Sequence, residues 1–432
     1  MSLNMVAALG IIILLILLFC GMNIGAAMLT VGFFGYAYVV NFQAAFGLFQ
    51  TQFYTQAASY TLSVMPLFIL MGEFCYCSGL SQGLFTVANR WLCRVPGNLA
   101  CASVVACAGF GAICGSPTAT AATMGVVALP EMKARGYADS LATGSISVGG
   151  TLGIMIPPST AFIVYGVLIG ESIGKLFASG IIPGIILAAL CCFTIVFLVK
   201  RNPSLAPQGK NYTMKEKLES IKGIWGVAVL FLIVIGGIFV GWFTPNEGAA
   251  IGALLALVYM IITRNFNLKS LKFCITETAV SFGMTFLIVI GATLFGSFLA
   301  ITRMPMALAG FVEGLNVSRY LILLVIVLIY AFLGMIMDAM AMLMLTVPIF
   351  APVIIGLGFD TIWFGVLMVL VMELGLVTPP VGMNCYVMAG IAKGVPLSTI
   401  FRGSLPFALA IFITILLVTL CPALATWLPS LM

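Results

Sequence analysis

The sequence predicts an all-α integral membrane protein, built as an inverted repeat. Each half is expected to hold five spans and one re-entrant hairpin, and two helices are expected to be broken by Pro-Pro. Three observations carry this. First, 62% of the 432 residues are hydrophobic and 7% are charged, with a mean hydropathy of +1.24, whereas soluble domains carry about 25% charged residues. Second, apolar runs recur at roughly the 20-residue length that one helix needs to cross a bilayer, which favours helices over a barrel. Third, GIMIPPST at Gly153–Thr160 returns as GLVTPPVG at Gly375–Gly382.

In chain order, apolar segments fall near 5–21, 23–40, 60–80, 98–130, 140–170, 176–200, 223–241, 245–263, 274–300, 320–356, 361–392 and 400–428. Residues 41–59 are polar and aromatic and read as an interfacial arm. The segments 98–130 and 320–356 are too long for one straight crossing and carry small or polar residues midway, so each reads as a re-entrant hairpin. The segments 140–170 and 361–392 hold Pro-Pro near their middle and read as discontinuous spans. The chain divides into scaffold helices and arm (1–97), a first hairpin, broken helix and following span (98–200), and a linker (201–222). A second scaffold block (223–319) and a second hairpin, broken helix and last span (320–432) complete it. The N-terminal MSLNMVAALG lacks a basic n-region, so no cleavable signal is expected.

The net charge of +6 sits in short loops and marks topology, not nucleic-acid binding. Lys200, Arg201, Lys210, Lys215, Lys217 and Lys222 face only Glu216 and Glu219 in one loop, which is expected in the cytoplasm. Arg90, Arg94, Lys133, Arg135, Arg264, Lys269, Lys272, Lys393 and Arg402 also fall inside. Glu171 and Lys175 fall outside, as do both termini, and Arg303 and Arg319 are the misfit.

An offset of 222 carries Pro157 onto Pro379, and also Pro130 onto Pro352, Gly136 onto Gly358, Gly153 onto Gly375 and Ser116 onto Asp338. Gly25–Ala27 recurs at Gly248–Ala250. An odd number of crossings per half inverts the second copy, a signal of secondary carriers.

Mid-helix Pro-Pro removes two amide donors and disrupts the preceding turn. The freed carbonyls are costly in lipid unless something polar fills the gap. A cation held by unwound carbonyls fits, with helix N-termini beside it for an anion. Gly149, Gly150 and Gly153 let the backbone turn. In CGSPTATAAT the hydroxyls of Ser116 and Thr118 suit sodium, a hard cation, whereas Thr120 and Thr123 read as packing residues. Asp338, Ser116's counterpart, is an expensive intramembrane carboxylate that needs an ion or a partner. Glu373 precedes Gly375 by two residues and could serve the second break. Ser116, Thr118, Ser159 and Asn384, which could turn its amide toward substrate, are the candidate substrate residues. Glu247, after Pro245, reads as a helix N-cap partner. Glu73 and Glu277 receive no role. The twelve cysteines have no metal-ligand spacing, and the absence of histidine argues against a zinc enzyme, a haem site or a His relay. No nucleophile-and-base constellation points to an enzyme, and no ring of charges points to a channel.

The run from GAICGSPTAT to GIIPG, with FTPNEGAA, LGMIMDAMAMLMLTVPIFAPV and ELGLVTPPVGMNCYVMAGIAKGVPL, resembles the large membrane subunit of tripartite ATP-independent periplasmic (TRAP) transporters over essentially the whole chain. That resemblance implies an elevator-type carrier of the bacterial or archaeal cytoplasmic membrane, coupled to sodium and without an organic cofactor. Its implied partners are a small four-helix (Q-type) membrane subunit, expected here as a separate chain, and a periplasmic (P-type) binding protein. The implied solute is an organic acid such as a C4-dicarboxylate, sialic acid or sugar acid. Gly115, Ser116, Gly150, Thr151, Gly153 and Pro157 would form one sodium site. Asp338, Glu373, Gly375, Thr378 and Pro379 would form the other. Pro117 departs from the small residue common in relatives. A stand-alone sodium- or proton-coupled anion symporter of a related family is the alternative, and proton coupling through Asp338 or Glu373 stays open.

Overall fold

The computed structural model describes residues 2–207, 209–313 and 317–432; Met1, Gln208 of the expected linker and 314–316 of the second scaffold block lie outside the described residues. The regular structure is helical, with no strand among the described residues. The first half comprises α1 (Leu3–Phe19), α2 (Ile24–Val39), α3 (Phe42–Ala57), α4 (Val64–Cys77), α5 (Leu80–Trp91), α6 (Asn98–Cys114), α7 (Pro117–Ala134), α8 (Asp139–Met155), α9 (Thr160–Ile169) and α10 (Ile173–Arg201). After α11 (Met214–Ile221) come α12 (Trp225–Phe239), α13 (Pro245–Ile262), α14 (Leu268–Ile301), α15 (Met304–Glu313), α16 (Arg319–Gly334), α17 (Ala339–Gly356), α18 (Thr361–Val377), α19 (Met383–Ile391), α20 (Leu397–Leu420) and α21 (Ala423–Thr426).

The repeat is visible in the element bounds. Pro117 and Asp139 open α7 and α8, and Ala339 and Thr361, each 222 residues on, open α17 and α18. Both Pro-Pro pairs stop a helix as their chemistry requires: α8 ends at Met155 and α18 at Val377, and the chain restarts as α9 and α19. Both Pro–Pro peptides are cis.

Packing repeats as well. Helix α7 packs on α19, and its counterpart α17 packs on α9. Helix α8 packs on α20, and α18 on α10; α6 packs on α8, and α16 on α18. The two hairpin-and-break blocks therefore interlock: the second arm of each hairpin packs on its own broken helix and also on the restarted helix of the other block. Their shared centre is the α8–α18 contact, where α8 is buried continuously from Leu141 to Met155.

Several elements differ from the sequence expectation. The segment expected at 60–80 holds α4, and a further helix that was not expected, α5, follows it at 69°. The segment expected at 274–300 belongs to a longer helix that begins at Leu268. Among the described residues six helices are long and apolar enough to cross a membrane, counting α8 and α9 as one. The number is eight if α4–α5 and α11–α12 each count as one bent span, and five further apolar helices are shorter. The expected capping role of Glu247 is met: Thr244 and Glu247 close a capping box on α13. The linker helix α11 has the same device in Thr213 and Glu216, and Arg90 of α5 donates to the Glu216 carbonyl at 2.9 Å.

Candidate functional site

The first hairpin turns at Gly115, whose φ of +64° suits glycine. Ser116 then caps α7, its hydroxyl accepting from the Ala119 amide at 3.4 Å and lying 3.4 Å from Thr118 Oγ1. This tip rests against the first helix break. The Thr160 hydroxyl, at the start of α9, donates to the Gly115 carbonyl at 2.9 Å. A Cβ on Gly115 would sit 3.0 Å from the Pro158 carbonyl, and one on Gly153 would sit 3.3 Å from the Ser116 carbonyl. Gly111 and Gly153 let α6 and α8 touch backbone to backbone beside it. The structure thus brings Gly115, Ser116, Gly153 and the Pro157–Pro158 break together, and places Gly150 against the backbone of Ala121 in the same hairpin.

The second junction has the same plan. The Val381 amide, just past Pro380, donates to the Met335 carbonyl in the second hairpin tip at 3.1 Å. Gly334 and Gly375 make the backbone contact that Gly111 and Gly153 make in the first. Asp338 caps α17, accepting from the Met340 amide at 3.0 Å, which places its charge at a helix N-terminus, where it is favoured. No basic side chain pairs with it among the described residues. Thr378 ends α18 with its hydroxyl on the Leu374 carbonyl at 2.7 Å.

The junctions differ in access. Pro157 and Pro158 are buried, whereas Pro379 and Pro380 are exposed. Asp338 borders an apolar cavity of about 400 Å³ between the second hairpin tip and the α1–α2 turn.

Four expected residues fall elsewhere. The Thr151 hydroxyl donates to the Val148 carbonyl at 2.8 Å, near Glu373 of α18. Glu373, expected beside Asp338, is fully buried between the two blocks. It sits one turn before the α18 break, on the α8 side. Asn384, expected toward substrate, is also fully buried and donates to the Ser147 carbonyl at 3.0 Å. Ser159 is buried as well, donating to the Ile154 carbonyl at 2.5 Å and accepting from the Phe162 amide at 3.3 Å as the cap of α9. Of the four expected substrate residues, Ser116 and Thr118 share one tip, and Ser159 and Asn384 lie in the interior.

Thr160, Met335 and Val381, which hold the junctions together, carried no sequence signal beyond lying near the breaks. Ser147 was also missed, although it stands one helical turn before Thr151 on the same face of α8. Glu73 on α4 and Glu277 on α14 are both half-buried and lie near each other.

Residues 11–424 match the family model described as the tripartite ATP-independent periplasmic transporter, DctM component. The chain is 35% identical over 373 residues, 86% of each chain, to the C4-dicarboxylate TRAP transporter large permease protein DctM of Pseudomonas aeruginosa. It is 31% identical over 425 residues, 96% of each chain, to the sialic acid TRAP transporter large permease protein SiaM of Vibrio cholerae. Among solved structures, the YdaH transporter of Alcanivorax borkumensis superposes with a TM-score of 0.62 at 15% identity, covering 89% of this chain and 90% of that one, a likeness of fold.

Proposed function

The chain belongs to the family of DctM components of tripartite ATP-independent periplasmic transporters, and from that premise we propose that it is the large membrane subunit of a sodium-coupled carrier that imports an organic acid anion. The observation that carries this reading is the pair of junctions between hairpin tip and helix break, Gly115 with Thr160 and Met335 with Val381. Each sets a hairpin tip and its N-terminal cap, Ser116 in one and Asp338 in the other, against a helix end whose amides Pro-Pro removes. Unwound carbonyls and cap oxygens suit sodium, and the N-termini of α7, α9, α17 and α19 favour an anion between them.

The mechanism follows from which parts hold together. Sodium entering a junction draws the tip onto the break and orders the N-termini that receive the anion. The interlocked blocks α6–α10 and α16–α20 then move as one body against the scaffold of α1–α5 and α12–α15, in an elevator stroke. The buried first break and exposed second break fit a carrier open on one side at a time. In this reading the halves are inverted copies, the bent pair α4–α5 and the shorter apolar helices complete the crossings, and the basic linker faces the cytoplasm. The membrane is the cytoplasmic membrane, and the partners are a small four-helix subunit and a periplasmic binding protein. The solute is drawn from the carboxylates and related acids named for the relatives.

The test is uptake into proteoliposomes holding the chain with its small partner, using labelled C4-dicarboxylates, sialic acid and sugar acids. An inward sodium gradient should drive accumulation of one class of acid, and only with the binding protein outside. Accumulation without the binding protein would favour a stand-alone symporter. Equilibration that ignores the sodium gradient would overturn the coupling.

A further inference from the structure

The two blocks meet around a set of buried oxygens that neither junction uses. Glu373 on α18, Ser147 and Thr151 on α8, and Asn384 on α19 have no solvent exposure. Both carboxyl oxygens of Glu373, Oγ of Ser147 and Oδ1 of Asn384 lack a hydrogen-bond partner. Ser147 and Thr151 stand one turn apart on one face of α8. Thr151 faces Glu373, and Asn384 reaches the Ser147 main chain through its amide nitrogen, which leaves Oδ1 free. Buried polar groups are almost always paired, so orphans gathered from three helices call for an occupant. A carboxylate in lipid-like surroundings also calls for a positive charge. None is supplied by the protein: the ion pairs among the described residues are Lys133–Asp139 and Arg135–Glu131, both outside this region.

We infer that Glu373, Ser147, Thr151 and Asn384 form a third site for a small hard monovalent cation, sodium, enclosed between the two broken helices. The oxygen set is hard, and one carboxylate balances one monovalent charge, as a buried site requires. The site joins the halves: α8 leads to the first break, and α18 and α19 flank the second. A cation here holds both breaks in one register, so the outer two sites fill in a fixed geometry. This rests on the sodium-coupled reading above and adds an ion to it.

The experiment counts bound ²²Na⁺ by equilibrium dialysis on the full chain in lipid nanodiscs, for wild type, Glu373→Gln and Ser147→Ala. Thermal melting in choline buffer serves as the folding control. Glu373→Gln should melt at least as high as wild type in choline, where there is no sodium for the carboxyl to hold, and should bind one sodium fewer. Ser147→Ala should keep the wild-type count and need about ten-fold more sodium to fill the site. An unchanged count and affinity in both variants would overturn the third site while leaving the junction sites intact. No bound sodium in wild type would overturn the sodium-coupled reading itself.

Discussion

The Thr160 hydroxyl donates to the Gly115 carbonyl at 2.9 Å, tying a hairpin tip to a helix break 45 residues along the chain. The Gly111–Gly153 backbone contact belongs to the same junction. Thr160→Val keeps the shape and removes the donor. Leaving a buried carbonyl unpaired costs about 1–3 kcal/mol, so the variant should melt lower and need more sodium to recover its midpoint. Thr160→Ser should restore both. Sodium-dependent melting of the three proteins checks this, and a valine variant with the wild-type sodium response would contradict it.

The two backbone contacts should differ in tolerance. A Cβ on Gly375 would lie 2.6 Å from Gly334 Cα, backbone that cannot rotate away, whereas one on Gly153 would meet Thr120 Oγ1 at 3.0 Å and Gly111 Cα at 3.2 Å. Gly375→Ala should lose roughly 1–3 kcal/mol through forced separation of α16 and α18, and Gly153→Ala less. Unfolding midpoints in detergent should rank wild type first, then Gly153→Ala, then Gly375→Ala. Equal losses would mean that the junctions are not built to these spacings.

The linker helix α11 offers a pH test. The Glu216 carboxylate accepts from the Thr213 amide at 2.7 Å and from its hydroxyl at 2.8 Å, which hold its pKa below the ordinary 4.5. A carboxylate with a lowered folded-state pKa stabilises above its unfolded value, and that contribution is lost as pH falls through the folded one. Amide protection of Met214–Ile221, corrected for intrinsic exchange, should therefore hold from pH 8 to about 5 and fall at lower pH. Glu216→Gln should abolish that dependence. The same fall in the glutamine variant would assign it to another group.

Much of this was legible because proline, charge and repetition act locally. Pro157 and Pro379 cannot continue a helix, so the breaks fell where the sequence placed them. The 222-residue offset carried the hairpins with them, and Glu247 announced its cap through the preceding Pro245. Less local features were hidden. At the 222-residue offset, the stretch that is split into α3 and α4 in the first half runs unbroken as α14 in the second, and hydropathy sees only the apolar stretch in each. Helix α5 mixes Gln82, Asn89 and Arg90 with its apolar face and did not read as a separate element. The neighbours of Glu373 depended on how α8 and α18 meet, a contact between the halves that spacing along one strand of sequence cannot reveal. For that reason Glu373 and Thr151 were assigned to different sites, although the structure sets them face to face.

Cation binding at the two junctions underlies the proposed transport cycle. The most direct measurement is thermal melting of the purified chain in sodium, potassium and choline at equal ionic strength, for wild type, Ser116→Ala and Asp338→Ala. A ligand at 100 times its dissociation constant adds about 2.7 kcal/mol to stability. Sodium alone should raise the wild-type midpoint, and the rise should be smaller in both variants. Equal midpoints in all three salts, or a sodium rise that neither variant reduces, would contradict it.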